Sequence, residues 1–147
     1  MKIMLVEDEK ITRKTLTDIL KKENYEVNSF SDGTEALNTL KQNNFDVVIT
    51  DLRLPGTNGL DILKAAKEMN SRIIVIIITA YATVETAIES LKLGAYDYLL
   101  KPFSPEQLLS ILKHIEQLSK VLYENEKLKS RLELFEKKTI IGSSAKV

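Results

Sequence analysis

Asp51 closes the apolar run Val47-Val48-Ile49-Thr50 and precedes a turn-forming stretch, Leu52-Arg53-Leu54-Pro55-Gly56-Thr57-Asn58-Gly59. Glu7 and Asp8 follow Ile3-Met4-Leu5-Val6, Thr79 follows Ile73 to Ile78, and Lys101 follows Tyr98-Leu99-Leu100. A polar group at the carboxyl end of a core strand sits where open α/β sheets place their chemistry. Glu7, Asp8 and Asp51 in one pocket would repel one another, so some would be protonated without compensation. Lys101 supplies one positive charge. A divalent cation would supply two more, and oxygen-only ligands with room for water suit Mg²⁺. An ionised carboxylate is already a nucleophile and can accept a phosphoryl group as an acyl phosphate. That transfer needs little from a protein beyond in-line positioning and charge neutralisation. Mg²⁺ and Lys101 would neutralise the non-bridging oxygens, and the Thr79 hydroxyl can donate to another. Taken singly, Glu7 or Asp8 reads as a solvated loop residue or helix cap, because acids are enriched at helix starts. The combination with Asp51, Thr79 and Lys101 reverses that reading.

The composition narrows the chemistry. The 147 residues include no cysteine and a single histidine, His114, which leaves no disulfide, no thiolate metal site and little for a zinc site or a Ser-His-Asp triad. His114 lies in the wrong region of the chain to be the attacking group, so the phosphoryl donor must be external. Charge is balanced at 21 basic and 21 acidic residues, so no basic field points to direct contact with nucleic acid. No apolar run reaches the ~18 residues of a membrane helix, and the amino terminus enters a strand pattern without a signal peptide. The expectation is a cytoplasmic protein.

The elements that must position these groups alternate. Apolar runs at Lys2–Val6, Tyr25–Ser29, Asp46–Thr50, Arg72–Thr79 and Asp97–Leu100 predict strands, with amphipathic helices near Lys10–Lys22, Thr34–Lys41, Gly59–Met69 and Val84–Leu93. Strands of continuous Val, Ile and Leu are covered on both faces. The expected fold class is α/β, a doubly wound five-stranded parallel sheet of order 2-1-3-4-5, in which strands 1 and 3 are neighbours and Glu7, Asp8 and Asp51 converge. Asp32-Gly33-Thr34-Glu35 and Ser104-Pro105-Glu106-Gln107 read as helix starts with capping residues, and Gly94 suits a left-handed helix end.

The helix that starts after Ser104 has no Pro or Gly from Glu106 to Ile141. Leu118, Val121, Asn125, Leu128, Leu132 and Phe135 recur at alternating spacings of three and four, an a/d heptad stripe. With Leu118 at a, Glu124 and Lys129 fall at g and the following e, as do Arg131 and Glu136, and both pairings are opposite in charge between two parallel chains. Asn125 falls at an a position, where a buried amide favours a two-stranded pair in register. These features predict an extended C-terminal helix forming a coiled-coil linker and a homodimer. One amphipathic helix folding back on its own domain is the simpler alternative.

Val6-Glu7-Asp8, Thr50-Asp51-Leu52-Arg53-Leu54-Pro55-Gly56, Thr79-Ala80 and Lys101-Pro102-Phe103, as a set and in this order, resemble the receiver domain of bacterial two-component response regulators. The resemblance implies that Asp51 takes a phosphoryl group from a phosphohistidine on a sensor histidine kinase. It implies that Asp8, Asp51 and the backbone carbonyl of Arg53 ligate Mg²⁺, with Glu7 acting through water. It also implies a switch in which Thr79 moves toward the phosphoryl group and Tyr98 turns inward behind it, a cis Lys101-Pro102 bond where sequence alone favours trans, and an output face on the fourth helix, fifth strand and fifth helix. The chain would not be an enzyme on other substrates, although it would catalyse its own phosphorylation and dephosphorylation.

Thr79-Ala80-Tyr81-Ala82-Thr83-Val84-Glu85-Thr86-Ala87 and Gly94-Ala95-Tyr96-Asp97-Tyr98-Leu99 resemble the receivers of sigma-54-dependent enhancer-binding activators. Thr139-Ile140-Ile141-Gly142-Ser143-Ser144 is similar to the opening of their AAA+ ATPase domain. The domains expected are a receiver at 1–118, a coiled-coil linker at 119–138, and at 139–147 either the start of a truncated ATPase domain or a disordered tail. In that family a receiver dimer either restrains or promotes assembly of the ATPase ring. Two other readings compete. A flavin or nucleotide enzyme on the same fold would need a Gly-rich phosphate loop after the first strand, where Glu7-Asp8-Glu9-Lys10 stands instead. A structural dimerisation module with an inactive phosphorylation site would not need the intact acidic set.

Overall fold

The computed structural model describes residues 1–138, with side chains described throughout that range except at 123, 126, 127 and 129–138. Five strands, β1 (Lys2–Val6), β2 (Glu26–Phe30), β3 (Val47–Asp51), β4 (Ile74–Thr79) and β5 (Asp97–Leu100), alternate with α1 (Lys10–Lys22), α2 (Gly33–Gln42), α3 (Gly59–Met69), α4 (Val84–Lys92) and α5 (Pro105–Lys138). All pairings are parallel and the sheet order is β2-β1-β3-β4-β5. This is the expected fold class.

Register brings the functional strand ends level. Val6 pairs with Thr50, Asp51 with Ile78 and Thr79 with Leu100, so Glu7, Asp51, Thr79 and Lys101 emerge along one edge of the sheet. Two boundaries differ from the sequence reading in an informative way. β3 runs through Asp51 itself, whose residue pairs with Ile78. β4 begins at Ile74, because Asn70 accepts the amides of Arg72, through its side chain, and Ile73, through its carbonyl, and so closes a turn there.

Alternation along the strands fills both faces. Met4, Val6, Val48, Val75 and Ile77 join Ala36, Leu40, Ile62, Leu63 and Ala66 of α2 and α3 in one cluster. Ile3, Leu5, Ile49, Ile76 and Ile78 point the other way and are fully buried. Each such side chain contributes roughly 1.5–3 kcal/mol relative to exposure, which explains why strands without polar alternation hold their register. The caps are where local sequence speaks clearest. Asp32 accepts the amides of Thr34 and Glu35. Ser104 and Gln107 exchange side-chain and backbone bonds in a capping box. Gly94 takes φ +100° just beyond α4.

One unit spans Met1–Gln107 and a second begins at Leu108. Within the second, Leu108, Leu112 and Ile115 are buried, whereas Leu118, Val121 and Leu128 of the heptad stripe are exposed, as is Asn125. The side chains of Leu132 and Phe135 lie outside the described ones, and residues 139–147, with the ATPase-like opening, lie outside the described residues. No described helix is long and apolar enough to cross a membrane.

Candidate functional site

The polar groups of the site lie at or just beyond the carboxyl ends of four strands. β1 and β3 are neighbours, so Glu7 and Asp51 stand side by side, and Asp8 completes a set of carboxylate oxygens within 4.8 Å of one another. Lys101, at the end of β5, has its amide bonded to the Thr79 carbonyl at 2.8 Å. Its ammonium group reaches across to Asp51 Oδ2 at 2.8 Å and to Glu7 Oε1. Glu7 and Thr79 are fully buried, Asp51 is nearly so, and Asp8 is exposed. The two acids that read alike in sequence therefore occupy different media: Glu7 lies beneath the site and Asp8 faces solvent.

The electrostatics follow from that burial. Removal from water raises the Glu7 carboxyl above its ordinary range, and the hydrogen bond from Lys101 offsets part of the rise. Burial works against the charge on Lys101, yet the hydrogen bonds to Asp51 and Glu7 outweigh it and hold the ammonium above its ordinary value. One firmly charged lysine thus faces three carboxylates, leaving a net deficit of positive charge in a half-enclosed pocket. The donor set is all oxygen, rigid below and open above, and fits a hard divalent cation of the Mg²⁺ type.

The loop after β3 is tightly built. The Arg53 amide donates to Asp51 Oδ1 at 3.3 Å, and the Gly59 amide closes on the Leu52 carbonyl at 2.9 Å. A Cβ at Gly59 would lie 2.2 Å from the Asp51 carbonyl oxygen, so glycine is what lets α3 start against the backbone of Asp51. Gly56 takes φ +76°, in the left-handed region that favours glycine. Opposite, the Tyr81 amide donates to Thr79 Oγ1 at 3.0 Å. The Arg53 guanidinium lies over the Tyr81 ring, 4.0 Å from its centroid, so the loops that follow β3 and β4 touch there.

Thr79 and Tyr98 lie on adjacent strands, with Tyr98 half-buried against the core and opposite Ile77. The Tyr98 hydroxyl bonds Thr86 Oγ1 at 2.9 Å. Thr86 in turn forms a capping box with Thr83 at the start of α4. The Lys101-Pro102 bond is cis. Beside Lys101 lies a cavity of about 470 Å³ lined by Ile11, Leu16, Ile19, Pro102 and Phe103 among others.

Sequence reasoning missed several of these groups. Arg13 donates from Nη1 to the carbonyl oxygens of Glu7 and Asp8 at 2.9 and 3.2 Å. A lone arginine on an amphipathic helix carries no signal in sequence, since surface arginines are ordinary there. Thr86 was equally silent, because capping boxes are sought as Glu or Gln at the third helical position. The Arg53–Tyr81 stack joins residues on different loops, and no local pattern announces it.

Comparison with known proteins bears on the arrangement. The description "Response regulator receiver domain" matches residues 3–113. A response regulator NtrX-like protein of Rickettsia bellii is 35% identical over 144 residues, covering 97% of this chain and 30% of the relative. The regulatory protein AtoC of Escherichia coli K12 is 37% identical over 117 residues, covering 80% of this chain and 25% of the relative. The chain thus spans about a third or less of the length of these curated relatives. Among solved structures, the beryllofluoride-activated NtrC4 receiver domain dimer superposes with a TM-score of 0.73 at 33% identity, covering 78% of this chain and 94% of that one.

Proposed function

The chain belongs to the response regulator receiver family, and from that premise we propose that Asp51 is a phosphoryl acceptor whose modification is assisted by Mg²⁺, Lys101 and Thr79. The observation that carries the proposal is the convergence of Glu7, Asp8 and Asp51 within 4.8 Å of one another around a single lysine. Asp8, Asp51 and the Arg53 backbone carbonyl would hold Mg²⁺, with Glu7 acting through water. Bound there, the ion would neutralise charge on the phosphoryl oxygens. A carboxylate oxygen of Asp51 attacks phosphorus, a new O–P bond forms, and the bond to the donor's nitrogen or oxygen breaks in line. Lys101, held charged at neutral pH, exchanges part of its contact with Asp51 for a phosphoryl oxygen. Thr79, whose hydroxyl accepts from the Tyr81 amide, turns to donate to another. Tyr98 follows, leaving its bond to Thr86. In this account Asp8, Asp51 and the Arg53 carbonyl would hold the cation, Glu7 would act on it through water, and Thr79 and Tyr98 form the switch.

The partners follow from the family. A sensor histidine kinase supplies the phosphoryl group, and the apolar cavity beside Lys101 offers a donor protein a surface next to the acceptor. The domain division is a receiver at 1–118, a coiled-coil linker at 119–138 and the opening of an ATPase domain from 139. Two chains pair in parallel through Leu118, Val121, Asn125, Leu128, Leu132 and Phe135. Phosphorylation biases that pairing and so controls an attached sigma-54-activating AAA+ ATPase and transcription. The exposure of Leu118, Val121 and Leu128 supports an unfilled seam on α5, and an NtrC4 receiver domain is described as a dimer. The cytoplasmic setting of sensor kinases makes that the compartment of the chain.

The test is chemical. The protein is incubated with Mg²⁺ and acetyl phosphate, and intact mass is measured for wild type and Asp51→Ala. A gain of one phosphoryl group in wild type alone is expected. No Mg²⁺-dependent gain in either protein would favour the second reading, a dimerisation module with an inactive site.

A further inference from the structure

The turn that carries Glu7 and Asp8 is weakly fixed by the sheet. The last ladder-type bond on this segment is the Glu7 amide to the Phe30 carbonyl at 2.9 Å. α1 then begins at an N-cap, Glu9, whose side chain makes no capping bond. A half-buried cation one helical turn later reaches back to the turn. Arg13 Nη1 donates to the Glu7 carbonyl oxygen at 2.9 Å and to the Asp8 carbonyl oxygen at 3.2 Å. Arg13 is itself anchored. Its amide bonds the Glu9 carbonyl at 2.9 Å, and its carbonyl accepts from Thr17 Oγ1 at 2.6 Å, which also contacts Ser29 Oγ on β2 at 2.6 Å. Within the turn, the Glu9 amide donates to Glu7 Oε2 at 3.2 Å.

We infer that Arg13 is a positioning residue for the cation site: by gripping the two carbonyls, it sets the direction in which the Glu7 and Asp8 carboxylates face Asp51. This inference rests on the proposed cation site. Arg13 could instead serve as a counter-charge that eases the crowding of three acids. The two roles have opposite signs. A guanidinium acting through charge alone repels a dication, so its removal tightens Mg²⁺ binding. A guanidinium that shapes the ligand turn improves binding, so its removal weakens it. Geometry favours the second, because both Arg13 Nη1 bonds go to main-chain oxygens and orient the peptide rather than the carboxylates' charge.

The experiment titrates Mg²⁺ into wild type, Arg13→Gln, Arg13→Lys and Asp51→Asn by calorimetry. Amide hydrogen exchange of Asp8 and Glu9 is measured in metal-free buffer. Arg13→Gln is expected to bind Mg²⁺ about tenfold more weakly, the low end of the roughly ten- to hundredfold losses when groups supporting a metal's ligands are removed. Its Asp8 and Glu9 amides should exchange faster before any metal is added. Arg13→Lys, which keeps the charge without the guanidinium's reach, should fall between and remains informative if the glutamine variant folds poorly. Equal or tighter Mg²⁺ binding by Arg13→Gln, or a lysine variant indistinguishable from wild type in both readouts, overturns the inference. Wild type that binds no Mg²⁺, or Asp51→Asn that binds it equally well, overturns the cation site itself.

Discussion

Asp51→Asn separates a pocket built to hold a cation from an ion pair built for stability. In the metal-free protein Asp51 gains from Lys101 at 2.8 Å and loses to Glu7 and Asp8 at up to 4.8 Å. At an effective dielectric of about 20, the attraction amounts to about 6 kcal/mol and each repulsion to at least about 3.5 kcal/mol before screening. The sum of two repulsions slightly exceeds the attraction, and Asp8's exposure screens part of it. With attraction and repulsion of this similar size, neutralising Asp51 should change metal-free stability by only about 1–2 kcal/mol. Mg²⁺ then discriminates. For a site with a Kd of about 1 mM, 10 mM Mg²⁺ stabilises wild type by about 1.4 kcal/mol. That is a rise of roughly 3–5 °C in the midpoint for a domain of this size. Thermal unfolding with and without Mg²⁺, against Ca²⁺-free buffer and matched ionic strength, reads both quantities. The variant should keep its metal-free midpoint within a few degrees and show no Mg²⁺ response. A metal-free loss above about 3 kcal/mol would mean a net structural ion pair, and a retained Mg²⁺ shift would place the cation elsewhere; either result refutes the reasoning.

Other perturbations test other links. Burial raises the Glu7 carboxyl above 4.5, so the folded state holds that proton more tightly than the unfolded chain. The stability this contributes is present below about pH 4.5 and lost as pH rises through the folded value. Glu7→Gln should accordingly exceed wild type in stability at neutral pH without metal, with the gap closing on acidification; chemical denaturation across pH measures it. Thr83→Ala removes the capping box of α4 and should cost about 1 kcal/mol, read by denaturant unfolding, with faster amide exchange at Thr86. Leu128→Asp places a charge at an exposed seam position and should weaken a wild-type dimer in sedimentation; a monomer for both proteins would remove the paired-helix proposal.

Much of this architecture was legible because hydrophobic periodicity is a long-range signal. Ile3 to Val6, Val47 to Thr50 and Ile73 to Ile78 announce strands covered on both faces, and β-α alternation then constrains the sheet. The strand ends at Glu7, Asp51, Thr79 and Lys101 followed from that alternation. What stayed hidden depends on three-dimensional context. Glu7 and Asp8 are adjacent acids in sequence, yet one is fully buried and the other exposed, because both lie past the end of β1 in a turn whose course only the folded chain sets. Arg13 acts on carbonyls five and six residues back, through a turn whose shape only folding sets. Arg53 meets Tyr81 because two loops of different strands converge. Thr86 serves both the α4 cap and Tyr98, a pairing between elements that local propensity cannot foresee.

The central claim is that Asp51 itself becomes an acyl phosphate. Borohydride reduces such a mixed anhydride and leaves homoserine where the modified aspartate stood. The protein, treated with acetyl phosphate and Mg²⁺ and then reduced, should yield on peptide mapping homoserine at position 51, dependent on Mg²⁺. Homoserine at Asp8 or at any other carboxylate, or none at all, would contradict the account.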